Sequence, residues 1–139
     1  PAASLMLELT ESVVLENLNE TVLKMQAIRQ LGVHLSIDDF GTGYSSLAYL
    51  KQLPINEVKL DRSFIMRLVE EHKDRVLVAT VLALAEAMAF SVIAEGVETD
   101  EQLAVLRELG CDNFQGFLRA RPLSAQQLEQ MFNQHNEDA

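Results

Sequence analysis

Five short apolar runs alternate with longer stretches of helical period, and each run carries a polar residue near its C-terminal end. The runs fall near Leu5–Leu9, Val33–Ile37, Asn56–Leu60, Ser91–Glu95 and Cys111–Gln115. Helical stretches lie near Leu18–Leu31, Ser45–Leu53, Asp74–Phe90, Glu101–Leu109 and Ala125–Asn133. That alternation is the pattern of repeated βα units around a parallel sheet, so an α/β fold is predicted. Asn17, Thr99 and Ser124 stand three residues before Glu20, Gln102 and Gln127, the spacing of a capping box. Gly32 and Gly110 each close a helical stretch just before the next apolar run.

A (β/α)8 barrel takes about 250 residues, so five units in 139 residues amount to the later part of one. The expectation is therefore a single unit over residues 1–139: an incomplete (β/α)8 barrel of about five C-terminal βα units, with its first strands absent. The opening Pro1-Ala2-Ala3 runs almost directly into an apolar run, like a cut end. An open parallel sheet exposes two unpaired edges, so self-association of the isolated chain is expected.

Hydrophobic residues make up 48% of the chain, enough for one core. Twenty-one acidic against 11 basic residues give a net charge of -10, which opposes binding to nucleic-acid polymers or anionic membranes. Val76 to Phe90 is the most apolar stretch, but Thr80 and Glu86 interrupt it. It falls short of the ~18 residues that span a bilayer. It reads instead as a buried or interface helix, nearly apolar all round. The single Cys111 excludes an internal disulfide and fits a reducing, cytoplasmic compartment.

Strand alternation puts Glu8 on the face of Met6, Asp38 on that of His34 and Ser36, Lys59 on that of Glu57. Glu95 shares the face of Ile93, and Gln115 that of Asn113. All five stand at C-terminal strand ends, the rim where barrel enzymes place their chemistry. Asp38 and Asp39 are adjacent acids running into a glycine-rich turn, where they could also form an Asx turn with Ser45 or Ser46 as the following cap. Together with Glu8 and Glu95 they give four negative charges against Lys59, which favours divalent cations bound through oxygen, Mg²⁺ or Mn²⁺ before Ca²⁺. Glu11, Asp61 and Glu98 stand where helix-start acids would also be favoured by the dipole. His34 reads as a core histidine, His72 and His135 as exposed. No Ser/His/Asp set, zinc spacing, P-loop or dinucleotide fingerprint is present.

Five segments, taken in order, resemble the EAL-domain phosphodiesterases of bacterial cyclic di-GMP signalling. They are Glu8-Leu9-Thr10-Glu11-Ser12, the Asp38-Asp39 loop, Lys59-Leu60-Asp61-Arg62-Ser63-Phe64, Glu95-Gly96-Val97-Glu98 and Gln115-Gly116-Phe117. The resemblance implies hydrolysis of cyclic di-GMP to linear pGpG at a two-cation site of Mg²⁺ or Mn²⁺. By it, Glu8, Asp38, Asp39 and Glu95 are metal ligands, with Asp38 bridging. Lys59, Glu95 and Gln115 are the catalytic set, Lys59 and Gln115 attending the attacking water. Glu11 is the anchor of the Phe40–Ser46 loop, and Asp61, Glu98 and Arg121 are candidate substrate contacts. A homo-oligomer is expected, and an upstream sensor or GGDEF-type domain is compatible.

The family's Glu-Ala-Leu segment, its following substrate Arg and a metal-binding Asn would lie before Pro1, so the 139-residue chain alone is expected to be inactive. Phe117 and Arg119-Ala120 depart from the residues common in relatives near the guanine rim. Two further classes stay open: a receptor that binds cyclic di-GMP without cleaving it, and a dimerisation or scaffold module using Val76–Phe90. Charged substitutions at Val78 and Leu82 are the expected probes of that interface.

Overall fold

The computed structural model describes residues 1–42 and 47–137, apart from the side chains at 47, 48 and 134–137. Five strands form one sheet: β1 Met6–Thr10, β2 His34–Phe40, β3 Glu57–Leu60, β4 Ser91–Glu95 and β5 Asn113–Gln115. The helices are α1 Glu11–Glu16, α2 Leu18–Gln30, α3 Leu47–Leu50, α4 Arg62–Ile65, α5 His72–Met88, α6 Asp100–Glu108 and α7 Ala125–Glu137. The sheet runs β1-β2-β3-β4-β5, and every neighbouring pair is parallel.

Consecutive order without a switch sends every crossover the same way, so right-handed βα connections lay their helices on one face. The strands show this in their burial. Leu35, Ile37, Val58, Leu60, Val92 and Ala94 point to the helical side and share a core with Val14, Met25, Leu50, Ile65, Val78, Ala85 and Leu106. Each fully buried Leu or Ile among them contributes ~1.5–3 kcal/mol by leaving water. The alternate residues face the other way, and there Glu8, Ser36, Asp38, Lys59, Glu95 and Gln115 gather. The result is an α/β partial barrel: helices outside, a polar inner face on the concave side.

Helix punctuation follows the sequence closely. Thr99 and Gln102 form a full capping box at α6, and Ser124 and Gln127 exchange the same two bonds ahead of α7. Asn17 caps α2 by accepting from the Glu20 N–H, but the donor returned to the Glu20 carboxylate is the Asn17 side-chain amide in place of its backbone N–H. The residues Gly32 and Gly110 sit at φ +84° and +88°, ending α2 and α6.

Several boundaries are corrected. β2 runs three residues beyond Ile37, because Asp38 still pairs with Thr10 of β1 and Phe40 resumes pairing with Leu60 of β3 beyond a register shift. β5 starts at Asn113 rather than Cys111, whose amide instead donates to Leu106 O at the end of α6. Two short helices, α1 and α4, were not expected; each is a brief turn at a C-terminal strand end. α5 begins at His72 and ends at Met88, two residues earlier at each end than expected. The expected start of the third helix at Ser45, and its cap at Ser45 or Ser46, lie outside the described residues. Val78 is wholly buried and Leu82 is packed on the core, so the exposed large apolar residues of α5 are Val76 and Leu77. No helix among the described residues is long and apolar enough to cross a membrane.

Candidate active site

The Asp38-Asp39 pair owes its geometry to the bulge. In a regular strand the two side chains would point to opposite faces. Here the β2–β3 register shifts between Ile37 and Phe40, and Asp39 takes φ +54° in the left-handed region. That conformation costs a residue with a Cβ ~1–2 kcal/mol, and such strain gathers at functional sites. With it, carboxylate oxygens of Asp38, Asp39 and Glu95 all come within 4.8 Å of one another. The left-handed residue also starts a turn, in which the Thr42 hydroxyl donates to Asp39 O at 2.8 Å.

Lys59 rises from β3 into this group. Its Nζ lies 2.7 Å from Glu95 Oε1, 3.2 Å from Glu8 Oε2 and 3.8 Å from Asp38 Oδ1. Lys59 is only 6% exposed. Burial by itself lowers the pKa of its ammonium, but hydrogen bonds to Glu95 and Glu8 and the nearby charge of Asp38 outweigh it and raise the value to about 12. The lysine is therefore a fixed cation. Glu8 joins the group through Lys59 and stands outside the tight three-carboxylate cluster. Four acids against one ammonium leave an excess of negative charge on oxygen-only donors, the donor set that suits a hard divalent cation such as Mg²⁺ or Mn²⁺.

Glu95 and Gln115 are register partners at the ends of β4 and β5. Two glycines allow the turns that follow them. Gly96 is at φ +72°, and a Cβ there would lie 2.6 Å from the Arg62 Cβ. Gly116 packs so tightly on Val97 that an added Cβ would overlap its backbone. The adjoining cleft, about 290 Å³, is lined by Asp39, Asp61, Glu95, Glu98, Gln115 and Phe117 together with Arg62 and the two glycines. A larger hollow of about 560 Å³ opens at the opposite strand ends, around Phe90, Ser91 and Cys111, away from every acid of the cluster.

The remaining expected residues are distributed as follows. Glu11, 1% exposed, accepts the Gly41 N–H at 3.1 Å and the Tyr49 hydroxyl at 2.5 Å, so it ties the exit of β2 to α3. Asp61 lines the cleft and also caps α4, accepting the Ser63 N–H at 2.9 Å. Burial raises its pKa, but bonds to Ser63 and Arg62 hold the carboxyl below the usual range. Glu98 lines the cleft while its N–H donates to Gln102 Oε1. Arg121 is not among the cleft residues; its guanidinium stacks 4.5 Å over the Phe117 ring at the rim. Sequence reasoning did not single out Tyr49 or the side chain of Arg62. Arg62 stands inside one of the matching segments and Tyr49 just beyond the Asp38-Asp39 loop, but nothing in strand or helix periodicity marks either.

Comparison with known proteins agrees with this geometry. The model of the EAL domain family matches residues 1–122. The chain is 46% identical to the cyclic di-GMP phosphodiesterase NbdA of Pseudomonas aeruginosa over 99% of its own length, and 45% identical to the bifunctional diguanylate cyclase/cyclic di-GMP phosphodiesterase MucR of the same organism over 89%. It spans 18% of the length of each of these relatives. Among solved structures, the MucR phosphodiesterase in complex with c-di-GMP superposes with a TM-score of 0.86 at 44% identity, covering 91% of this chain and 51% of that one. The EAL domain of Mycobacterium smegmatis DcpA gives 0.89 at 40% identity, covering 96% and 60%. Klebsiella pneumoniae BlrP1 with manganese and cyclic di-GMP gives 0.83 at 34% identity, covering 87% and 31%. A polar rim of acids around one lysine, carried on consecutive parallel strands, thus coincides with a match that spans most of the sequence, and the chain belongs to the EAL domain family.

Proposed function

We propose that this chain is the C-terminal part of an EAL barrel that hydrolyses cyclic di-GMP to linear pGpG. The observation that carries the reading is the convergence of Asp38, Asp39 and Glu95 within 4.8 Å, beside Lys59 and open to a cleft. Glu8, Asp38, Asp39 and Glu95 would hold two divalent cations, Mg²⁺ or Mn²⁺, with Asp38 between them. Bound there, such cations supply Lewis-acid stabilisation of phosphoryl oxygens and a more acidic water.

The chain's own groups do the rest. Gln115, opposite Glu95, offers an uncharged amide that fixes the attacking water by hydrogen bonding. Lys59 holds a full positive charge beside the developing negative charge of the phosphoryl group, in a site where solvent screens it little. Water adds its oxygen to phosphorus, one ester oxygen leaves with a proton, and the ring opens to the linear dinucleotide. Glu11 anchors the loop leaving β2. Asp61 and Glu98 contact the substrate from the cleft wall, and Arg121 does so from the rim. Residues 1–139 on their own are inactive in this reading, since solved relatives with the fold run to nearly twice the matched length.

The test is nucleotide chromatography with Mn²⁺ on the full-length parent protein, its Asp38→Ala variant and the 139-residue chain. The parent is expected to form pGpG and the other two none. A parent that binds cyclic di-GMP without cleaving it would replace this reading with that of a receptor, and full turnover by Asp38→Ala would remove Asp38 from the bridging role.

A further inference from the structure

Two divalent cations would offset the four ligand carboxylates, but the cleft beyond them still carries acids and little positive charge of its own. Its walls carry Asp39, Asp61, Glu95 and Glu98, whereas a cyclic dinucleotide brings two phosphate charges of the same sign. Lys59 is committed to three carboxylates within 4 Å and is almost fully buried. Among the described residues lining the cleft, Arg62 is the one cation.

Resting on the phosphodiesterase reading, we infer that Arg62 is the substrate-positioning cation that admits a phosphodiester anion to this cleft and orients it. Three observations support the assignment. No carboxylate lies within ion-pair distance of Arg62 among the described residues, and its guanidinium makes only a 3.8 Å contact from Nη2 to Met66 Sδ. The side chain is exposed, so its donors are open to an incoming ligand. Its stem is fixed beside the chemistry: Gly96, the residue after Glu95, packs against it so closely that any side chain at 96 would collide with the Arg62 Cβ. The neighbouring Asp61 caps α4 through the Ser63 N–H and feels the Arg62 charge, but it is not within ion-pair distance of the guanidinium. A planar guanidinium suits bidentate contact with phosphate oxygens, and a lysine at the same place keeps the charge without the fork.

The experiment uses the full-length parent protein with Mn²⁺ and compares wild type, Arg62→Ala and Arg62→Lys. For Arg62→Ala, KM for cyclic di-GMP is expected to rise about tenfold, the worth of one lost charged contact, with kcat within about twofold. The dependence of KM on salt should flatten, since one ion contact fewer is screened. Arg62→Lys should recover the salt slope and part of the KM. Equilibrium dialysis of cyclic di-GMP against the same variants should show the same order. A KM for Arg62→Ala within twofold of wild type, or a change confined to kcat with the salt slope intact, overturns the inference. A wild-type parent that neither binds nor cleaves the nucleotide overturns the phosphodiesterase reading itself, and this inference with it.

Discussion

Removal of the Tyr49 hydroxyl should cost far more than its one oxygen atom. Glu11 is 1% exposed and Tyr49 4%, and the hydroxyl donates to Glu11 Oε1 at 2.5 Å. In Tyr49→Phe that carboxylate oxygen loses a donor at a place water does not reach, which costs ~1.5–3 kcal/mol for a hydrogen bond to a charged group. The complete barrel has about 250 residues, and in that size range each kcal/mol moves the melting temperature by ~2–4 °C. A loss of about 2 kcal/mol therefore lowers the midpoint by ~4–8 °C. The assay is a circular-dichroism melt of the complete EAL barrel as wild type, Tyr49→Phe, Glu11→Gln and the double variant. Because both groups share one bond, the double variant should fall short of the sum of the singles by about 1 kcal/mol or more. A Tyr49→Phe midpoint within about 1 °C of wild type, or strictly additive losses, would refute the reasoning.

Gly116→Ala should destabilise the barrel by ~1–3 kcal/mol and reduce turnover, because the new methyl group meets the Val97 backbone and displaces Gln115; an unchanged melt would show that the turn has room. Cys111 is 2% exposed, and burial pushes its thiol pKa up against the bonds that favour the thiolate, so less of it is ionised at pH 8 than for a free cysteine. Labelling by a disulfide reagent should accordingly run roughly 100-fold slower in the native barrel than in urea, and equal rates would contradict the burial. The 139-residue chain with its β1 and β5 edges should self-associate, as multi-angle light scattering would show; a clean monomer at low micromolar concentration would count against it. In the intact protein, Val76→Asp with Leu77→Asp should weaken a homodimer if α5 forms its interface, and an unchanged sedimentation profile would exclude that face.

The inner face was legible from strand periodicity alone. Glu8, Asp38, Lys59, Glu95 and Gln115 each fall on the expected side, because alternation in a strand is fixed by the backbone and survives errors of a residue at the ends. Asp39 was legible only as an acid beside another acid, since alternation would send it outward; a register shift and a left-handed φ, both set by tertiary pairing, bring it back. The short helices α1 and α4 escaped because four to six residues carry too little period to read. Glu11 to Tyr49 escaped for another reason. That contact joins residues 38 apart, and no local pattern encodes its partner. Val78 shows the limit of composition as a guide: an all-apolar helix says that two faces need cover but not which residue lies on which.

The consecutive strand order has a consequence for the nascent chain. Each new unit leaves the ribosome directly onto the edge completed just before it, so contacts form between segments near in sequence and assembly can keep pace with synthesis. Once β3 has docked, Glu8 and Asp38 already have Lys59 between them, before β4 brings Glu95 into place. The growing intermediate thus carries a built-in counter-ion.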